Sequence, residues 1–443
     1  MSLLGSGSFG LPRLRPLSHK RSSIVTVLDI GTAKVVCMIA ELTPTEGGEL
    51  LAGRTHSIRV IGIGHQKSRG MKGGLIADLD AVEGAIRLAV DAAERMAGVT
   101  VDSLIVNVSS SRLRSDVYSA AIDLGGHEVD AADLKRVLLS ATAQSITDER
   151  AALHSLATGY ALDGERGIRE PLGMFGDELG VDMHVVTADK APLKNIEVCV
   201  NRAHLSVEAM VATPYASGLA ALVDDEIEMG CAVIDMGAGA TTISVFAEGR
   251  FVHSDAVAIG GQHVTSDVAH GLSTRFEDAE RLKVVHGTAF PISADNDESI
   301  PVPPLAREEY DQPANVPRAL LGRIVRARIE ETLEHIRDRI QRSGYGPVVG
   351  KRVVLTGGAS QLTGLTDAAR RILARNVRIG RPLGVAGLPV AAKGPAFSTA
   401  AGMLVYPQVA DIEVHGSGRG TLPSMVSTGN RIARVGQWLK QSF

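Results

Sequence analysis

From residue 24 onward, short apolar runs alternate with segments of helical periodicity, the pattern of a mixed α/β protein. The runs 24–30, 35–42 and 58–65 predict three strands, the first two joined by the turn Gly31-Thr32-Ala33-Lys34. Val82, Ala85, Ile86, Ala89, Ala93 and Met96 then recur at helical spacing, with Gly98 placed to close the helix, and 103–110 predicts a fourth strand. Residues 111–187 break this rhythm. A strand, a helix opened by Asp130 and a looser strand-and-turn region holding Pro171, Gly173 and Gly176 suggest a small inserted α+β subdomain. A helix (191–203), a strand (205–212) and a helix (215–225) lead into 231–246, CAVIDMGAGATTISVF, read as strand, glycine-rich turn and strand. Another strand and a helix from near Gln262 follow. Residues 291–316, with five prolines and several acids, predict a long exposed loop. In 318–342, Leu321, Ile324, Val325, Ile329, Leu333, Ile336 and Ile340 share one face, which predicts an amphipathic helix. Residues 353–365 read as strand, glycine turn and helix start.

The two ends differ from the middle. Residues 1–23 are acid-free and carry Arg13, Arg15, Lys20 and Arg21, which predicts a disordered basic tail, an organelle transit peptide being the minor alternative. Residues 407–428 suit a linker. In 429–443, Ile432, Val435, Leu439 and Phe443 fall on one helical face with Trp438 at its edge, and the segment is basic. That combination fits a membrane-surface anchor; the alternative is a terminal helix docked on its own domain.

Composition narrows the classes. A chain of 443 residues, 44% hydrophobic, holds about three domain-sized units at roughly 150 residues each. The net charge of −4 argues against a nucleic-acid binder. Cys37, Cys199 and Cys231 lie apart in apolar runs and predict buried thiols, and the 13 histidines show no metal spacing. No apolar run reaches the ~18 residues of a membrane span.

The candidate chemistry lies in a repeat. Asp29-Ile-Gly-Thr-Ala-Lys and Asp235-Met-Gly-Ala-Gly-Ala-Thr-Thr each place an acid and glycines between two apolar runs. Glycines let successive backbone N–H groups converge on an anion, hydroxyls add donors, and the acid is left to hold a metal-bound water. Alone, each turn reads equally well as an ordinary hairpin. Together they suggest two related domains facing across a cleft, with the two carboxylates sharing one hydrated magnesium. Gly357-Gly358-Ala359-Ser360 adds a third glycine turn, against which a flat nucleoside can lie.

In this order the three turns resemble the phosphate-1, phosphate-2 and adenosine motifs of the superfamily of actin, the heat-shock ATPases and the sugar kinases. Within it the chain resembles the FtsA family, actin-like bacterial cell-division proteins. The resemblance runs from about residue 24 to 443 and is carried by DIGTAKV, by 69–98, by 264–287, by VVLTGGASQLTGL with 377–388, and by the terminal amphipathic segment. It implies an α/β, actin-like, duplicated RNase H-like fold with two lobes and an inserted subdomain. The implied division is subdomain 1A over 24–107, 188–217 and 385–406, 1C over 108–187, 2A over 218–262 and 345–384, and 2B over 263–344. It further implies ATP with magnesium in the cleft. Asp29, Gly31, Thr32 and Lys34 would act from one side, and Asp235, Gly237, Gly239, Thr241 and Thr242 from the other, the metal being held through water by Asp29 and Asp235. Glu280 and Lys283 match the nucleoside-contacting helix, opposite Gly357, Gly358 and Ser360; Lys34 reads alternatively as a surface lysine.

The resemblance also implies self-association, contacts of the inserted subdomain with later division proteins, and docking of the C-terminal peptide of FtsZ, the tubulin-like ring protein, on 263–344. Arg328 aligns there with a basic docking residue, or is an ordinary helix charge. One departure bears on mechanism. Where chaperone-type members carry a Glu-Pro whose carboxylate orients water, this chain has Thr213-Pro214, and threonine is no base at neutral pH. The implied protein is therefore a membrane tether for FtsZ filaments at the cytoplasmic face of the inner membrane, at most a weak ATPase. An ATP-dependent small-molecule kinase on the same fold is the alternative, and a chaperone-like ATPase stands third.

Overall fold

The computed structural model describes residues 11–414 other than 13, 15, 46–50, 52, 110–111, 146, 292–297 and 306–312. The terminal segment 429–443, read above as a lipid anchor, lies outside the described residues.

Two sheets repeat one topology. In the first lobe Ser23–Ile30 pairs antiparallel with Lys34–Pro44, which pairs antiparallel with His56–Lys67. On its other side it runs parallel to Ser103–Val108, which runs parallel to Ser206–Ala212. In the second lobe Cys231–Met236 pairs antiparallel with Thr241–Ala247, and that strand antiparallel with Arg250–Val257. Its other side runs parallel to Arg352–Thr356, which runs parallel to Asn376–Ile379. The first sheet gains one further short strand, Val385–Ala386, beside His56–Lys67. Strands covered on both faces read as continuous apolar runs, and Cys231–Met236 and Thr241–Ala247 are buried throughout.

The helix Leu79–Ala97 covers the first sheet. Asp78 caps its start, accepting from the Ala81 N–H at 3.1 Å, and Gly98 ends it in the left-handed region at φ 70°. Its buried stripe is Val82, Ala85, Ile86, Ala89, Val90 and Ala93; Met96, expected on that face, is instead 56% exposed, the last turn meeting the sheet through Ala93 and Ala97 at Gly62. The amphipathic helix Arg318–Arg342 buries six of the seven apolar residues read from its sequence, Ile324 being half-buried, and joins the second core.

Residues 114–189 form a four-stranded antiparallel sheet with the helix Ala131–Ser145 and a core of its own. Asp130 opens that helix as expected, accepting from Ala132 and Asp133 N–H groups at 2.7 and 2.9 Å. The region read as loose instead contains the long strands Arg150–Leu162 and Glu178–Asp189, whose pairing is interrupted by two bulges that obscure the alternation. This sheet also reaches the second lobe. The buried His184 donates from Nδ1 to the Phe251 carbonyl at 3.0 Å and accepts at Nε2 from Ser115 Oγ at 2.7 Å, while Ser115 Oγ accepts from the Ser254 N–H at 2.9 Å.

Two further expectations are corrected. Within 291–316, Ser299–Val302 pairs antiparallel with Ala314–Pro317, and Ile300 and Val302 are buried in the second core, so these two stretches are paired strand and not exposed loop, while 292–297 and 306–312 lie outside the described residues. Within 1–23, Leu11, Leu14 and Leu17 pack against the first core, and the Ser18 carbonyl accepts from His56 Nε2 at 3.1 Å, so the second half of the basic tail is docked.

The chain returns through the helix Ser398–Val405, packed on Thr213–Ala221 so closely that a Cβ at Gly402 would sit 1.7 Å from the Ala216 carbonyl oxygen. It then runs to Glu413, whose Oε1 accepts from His154 Nδ1 at 2.9 Å. His154 Nε2 accepts from the Ala212 N–H at 2.9 Å, so the imidazole is neutral, and both side chains are fully buried. Val414 donates its N–H to the Ser155 carbonyl at 2.8 Å and joins the inserted core. All three cysteines are buried and free. Among the described residues no helix is long and apolar enough to cross a membrane.

Candidate functional site: paired glycine turns at the lobe interface

The two acid–glycine turns are built alike. Gly31 N–H donates to the Lys34 carbonyl at 2.9 Å and Gly237 N–H to the Ala240 carbonyl at 3.0 Å. In each the acid stands opposite a residue seven positions on, Asp29 with Val36 and Asp235 with Thr242. Each glycine is required for the same reason: a Cβ at Gly31 would lie 3.0 Å from the Lys34 carbonyl oxygen, and one at Gly237 2.9 Å from that of Ala240. The turns meet across the lobes, a Cβ at Gly239 falling 2.5 Å from Thr32 Oγ1. The third turn backs onto the second. Gly357, at φ +84°, would place a Cβ 2.3 Å from Asp235 Oδ1.

Both carboxylates are buried. Burial pushes Asp29 up to about 6, opposed by the Lys34 charge and reinforced by Asp235. Burial likewise pushes Asp235 up to about 6, against hydrogen bonds from Thr399 and Ser217 and the Lys34 charge. Thr399 Oγ1 donates to Asp235 Oδ2 at 3.0 Å. Burial lowers Lys34, against the pull of both acids. Its ammonium donates to the Ala396 carbonyl at 2.6 Å and sits 3.3 Å from the Phe397 ring centroid. Lys34 is thus partly buried, with its ammonium engaged by Ala396 and Phe397.

Two buried acids with one partly buried lysine are short of positive charge, and a cation would relieve what holds their protons on. Among the described residues no three His, Cys, Asp or Glu side chains converge as a protein-only metal cage. The donor set fits a cation such as magnesium, which keeps most of its waters and takes one or two carboxylates plus phosphate oxygens. Thr242 Oγ1 is buried there without a hydrogen-bond partner. That is a donor in want of an acceptor.

Other expected residues are engaged elsewhere. Thr241 Oγ1 donates to the Ile259 carbonyl at 2.7 Å and Ser360 Oγ to the Gly357 carbonyl at 2.7 Å, so their protons staple the fold. Glu280 and Lys283 pair at 2.7 Å, and the Lys283 ammonium also reaches Thr265 Oγ1 at 2.8 Å and the Gly261 carbonyl at 3.1 Å. Thr265 Oγ1 also bonds Glu280. A Cβ at Gly261 would lie 3.2 Å from the Ala359 side chain, so the start of the helix Gly261–Gly271 lies against the third turn. Arg328 is remote from the cleft, forked onto Asp267 at 2.5 and 3.0 Å and bound to Glu331 at 2.6 Å. An acidic peptide would have to displace those carboxylates. Thr213 Oγ1 accepts from Asn107 Nδ2 at 3.2 Å, and Asn107 Oδ1 from the Ile30 N–H at 2.7 Å, so no carboxylate base stands at that point.

Sequence reading missed Thr399, Ser217 and the Gly260-Gly261 pair. Gly261 and Gln262 donate N–H groups to the Gly237 and Ala238 carbonyls at 2.9 Å each, which brings a helix start onto the second turn. A double glycine between strand and helix was the available signal.

A family model described as "Cell division protein FtsA" matches residues 232–402, and one described as "SHS2 domain inserted in FTSA" matches residues 110–187. The chain is 72% identical over 443 residues to the cell division protein FtsA of Rhizobium meliloti, covering 100% of both chains. It is 32% identical over 429 residues to that of Escherichia coli (strain K12), covering 95% of this chain and 98% of the other. Among solved structures it is similar to a PilM-PilN type IV pilus biogenesis complex, with TM-score 0.59 and 14% identity over 87% of this chain and 98% of that one. It is also similar to MreB5 of Spiroplasma citri bound to ADP, with TM-score 0.51 and 12% identity over 89% of this chain and 98% of that one. These likenesses, together with the duplicated sheets, give an actin-like fold. On the full-length identity to cell division proteins, the chain belongs to the FtsA family.

Proposed function

We propose that the chain binds ATP with magnesium in the cleft, self-assembles, and tethers FtsZ filaments to the cytoplasmic face of the inner membrane at the division site, helping recruit later division proteins. The observation that carries the nucleotide part is the matched pair of turns meeting at Thr32 and Gly239, with Asp29 and Asp235 buried on either side. Solved actin-like neighbours described as bound to ADP and to AMPPNP support it at the level of fold. Magnesium, held through water by the two aspartates, would neutralise phosphate charge. Lys34, released from the Ala396 carbonyl, has the charge and the position to meet a phosphate. Glu280, Lys283 and Gly358 supply the nucleoside wall.

Slow turnover follows from Thr213. Its hydroxyl is held by Asn107, so at that point of the chain there is no water-orienting carboxylate, and the kinase alternative is the less favoured reading. Nucleotide then acts as an assembly ligand, and assembly multiplies weak lipid contacts made by Ile432, Val435, Trp438, Leu439 and Phe443. The test is a pull-down of the full chain on an immobilised FtsZ C-terminal peptide, beside liposome co-sedimentation with ATP and magnesium. Deleting 429–443 should abolish sedimentation and leave the peptide pull-down and ATP binding intact. Failure to capture the peptide in any nucleotide state would refute the tether.

A further inference from the structure

The docked N-terminal segment and the departing C-terminal segment share one anchor, His56. On one side the His56 ring holds the Ser18 carbonyl at 3.1 Å, while Leu11, Leu14 and Leu17 pack on the first core. On the other, Gln408 Oε1 accepts from the Thr55 and His56 N–H groups at 2.8 and 2.9 Å. A Cβ at Gly53 would lie 3.5 Å from Val409 Cγ1. From Gln408 the chain needs only the short 3-10 turn Ala410–Ile412 to reach Glu413 and Val414, beyond which lie residues 415–443. The N-terminal segment and Gln408-Val409 therefore meet at one corner of the first lobe, about His56.

The N-terminal segment itself carries one sign of charge. No acidic residue precedes Asp29 in the sequence, whereas Arg13, Arg15, Lys20 and Arg21 do. His19, Lys20 and Arg21 are exposed, and beside them Ile24 is 53% exposed although it starts a core strand. Glu41, opposite Ile24 across the sheet, has Arg59 opposite it on its other side. Leucines that fix the segment to the lobe, with cations left outward, suit a flat anionic surface better than a groove-binding partner. We infer that this docked segment is a second lipid contact, in which Lys20 and Arg21 meet anionic headgroups. The inference rests on the proposed reading of 429–443 as a lipid-binding element. One amphipathic element binds lipid marginally, and a basic patch is the common second signal.

The test uses the full chain, its K20Q/R21Q variant and the chain lacking 429–443, each titrated with phosphatidylcholine vesicles and with vesicles containing phosphatidylglycerol. Each cation near an anionic surface is worth about 1 kcal/mol, or about fivefold. K20Q/R21Q should therefore weaken binding to anionic vesicles by about ten- to thirtyfold at low salt, leave zwitterionic binding and the melting temperature unchanged, and lose its deficit at high salt. Binding to anionic vesicles within twofold of the native chain overturns the inference. So does an unchanged vesicle isotherm accompanied by lost capture of poly-glutamate, which would make the partner an acidic protein. The deletion arm reads the other proposal separately: undiminished vesicle binding without 429–443 sinks the anchor, whatever the K20Q/R21Q arm returns.

Discussion

Substituting Gly239 by alanine isolates the contact between the two turns. The added methyl would sit 2.5 Å from Thr32 Oγ1, 3.1 Å from its Cβ and 3.2 Å from its Cγ2. Threonine is branched at Cβ and stiff about χ1, so it has little room to swing aside. Overpacking of this kind costs about 1–3 kcal/mol. The strain lies between lobes and not within one, so separating the turns relieves it. Cleft closure is then disfavoured while each lobe keeps its fold. A nucleotide that needs both turns should bind about 5- to 150-fold more weakly, with the thermal transition nearly unmoved. Thr32→Ala removes Oγ1 and Cγ2 and leaves only the 3.1 Å approach. Combined with Gly239→Ala it should recover at least about 1 kcal/mol relative to the sum of the single effects, a coupling well above the ~0.3–0.5 kcal/mol expected of independent sites. The assay is titration of a fluorescent ATP analogue with magnesium across the four proteins of the cycle. Gly237→Ala serves as control, because its clash is with the Ala240 carbonyl in its own turn and Thr32→Ala cannot rescue it. Additive single effects at Thr32 and Gly239 would refute the idea that the turns touch.

Two further outcomes follow from packing and titration. Burial pushes His184 down to about 3, so above the ordinary histidine value near 6.5 it contributes no pH dependence. As pH falls below ~6.5 the unfolded chain protonates this residue while the folded chain does not, and stability drops by about 2 kcal/mol by pH 5. Chemical denaturation of the native chain and His184→Gln should show that slope in the former and a flatter one in the latter; parallel profiles would remove His184 as its source. Gly402→Ala places a methyl 1.7 Å from a backbone oxygen that cannot rotate away, so the two central helices must part, and a loss of about 3 kcal/mol or more in urea unfolding is expected. An unchanged midpoint would mean that the helices slide freely.

Much of the architecture was readable because local and tertiary demands coincided. Arg318–Arg342 begins and ends where its apolar stripe does, and the two acid–glycine turns recur because one backbone closure imposes the same glycine twice. What escaped depended on distant partners. Leu11, Leu14 and Leu17 look like tail residues until the core they cover is known. Thr241 and Thr242 are indistinguishable in sequence, yet strand alternation sends one hydroxyl to the Ile259 carbonyl and leaves the other without a partner. Arg328 reads as a free helix cation because Asp267, its fork partner, lies on another helix 61 residues away in sequence. Lys34 could be placed near phosphate from its turn, but the Phe397 ring on which it rests comes from the far end of the chain.

The buried contact of Glu413 with His154 also fixes where a mechanical load enters the molecule. Residues beyond 414 hang from a point bonded on one side to Ser155 of the inserted sheet and, through His154, to Ala212, immediately before the helix that crosses at Gly402. A pull on those residues is therefore not absorbed by a fraying end. It reaches, through His154, the end of the strand that leads into the helix crossed at Gly402.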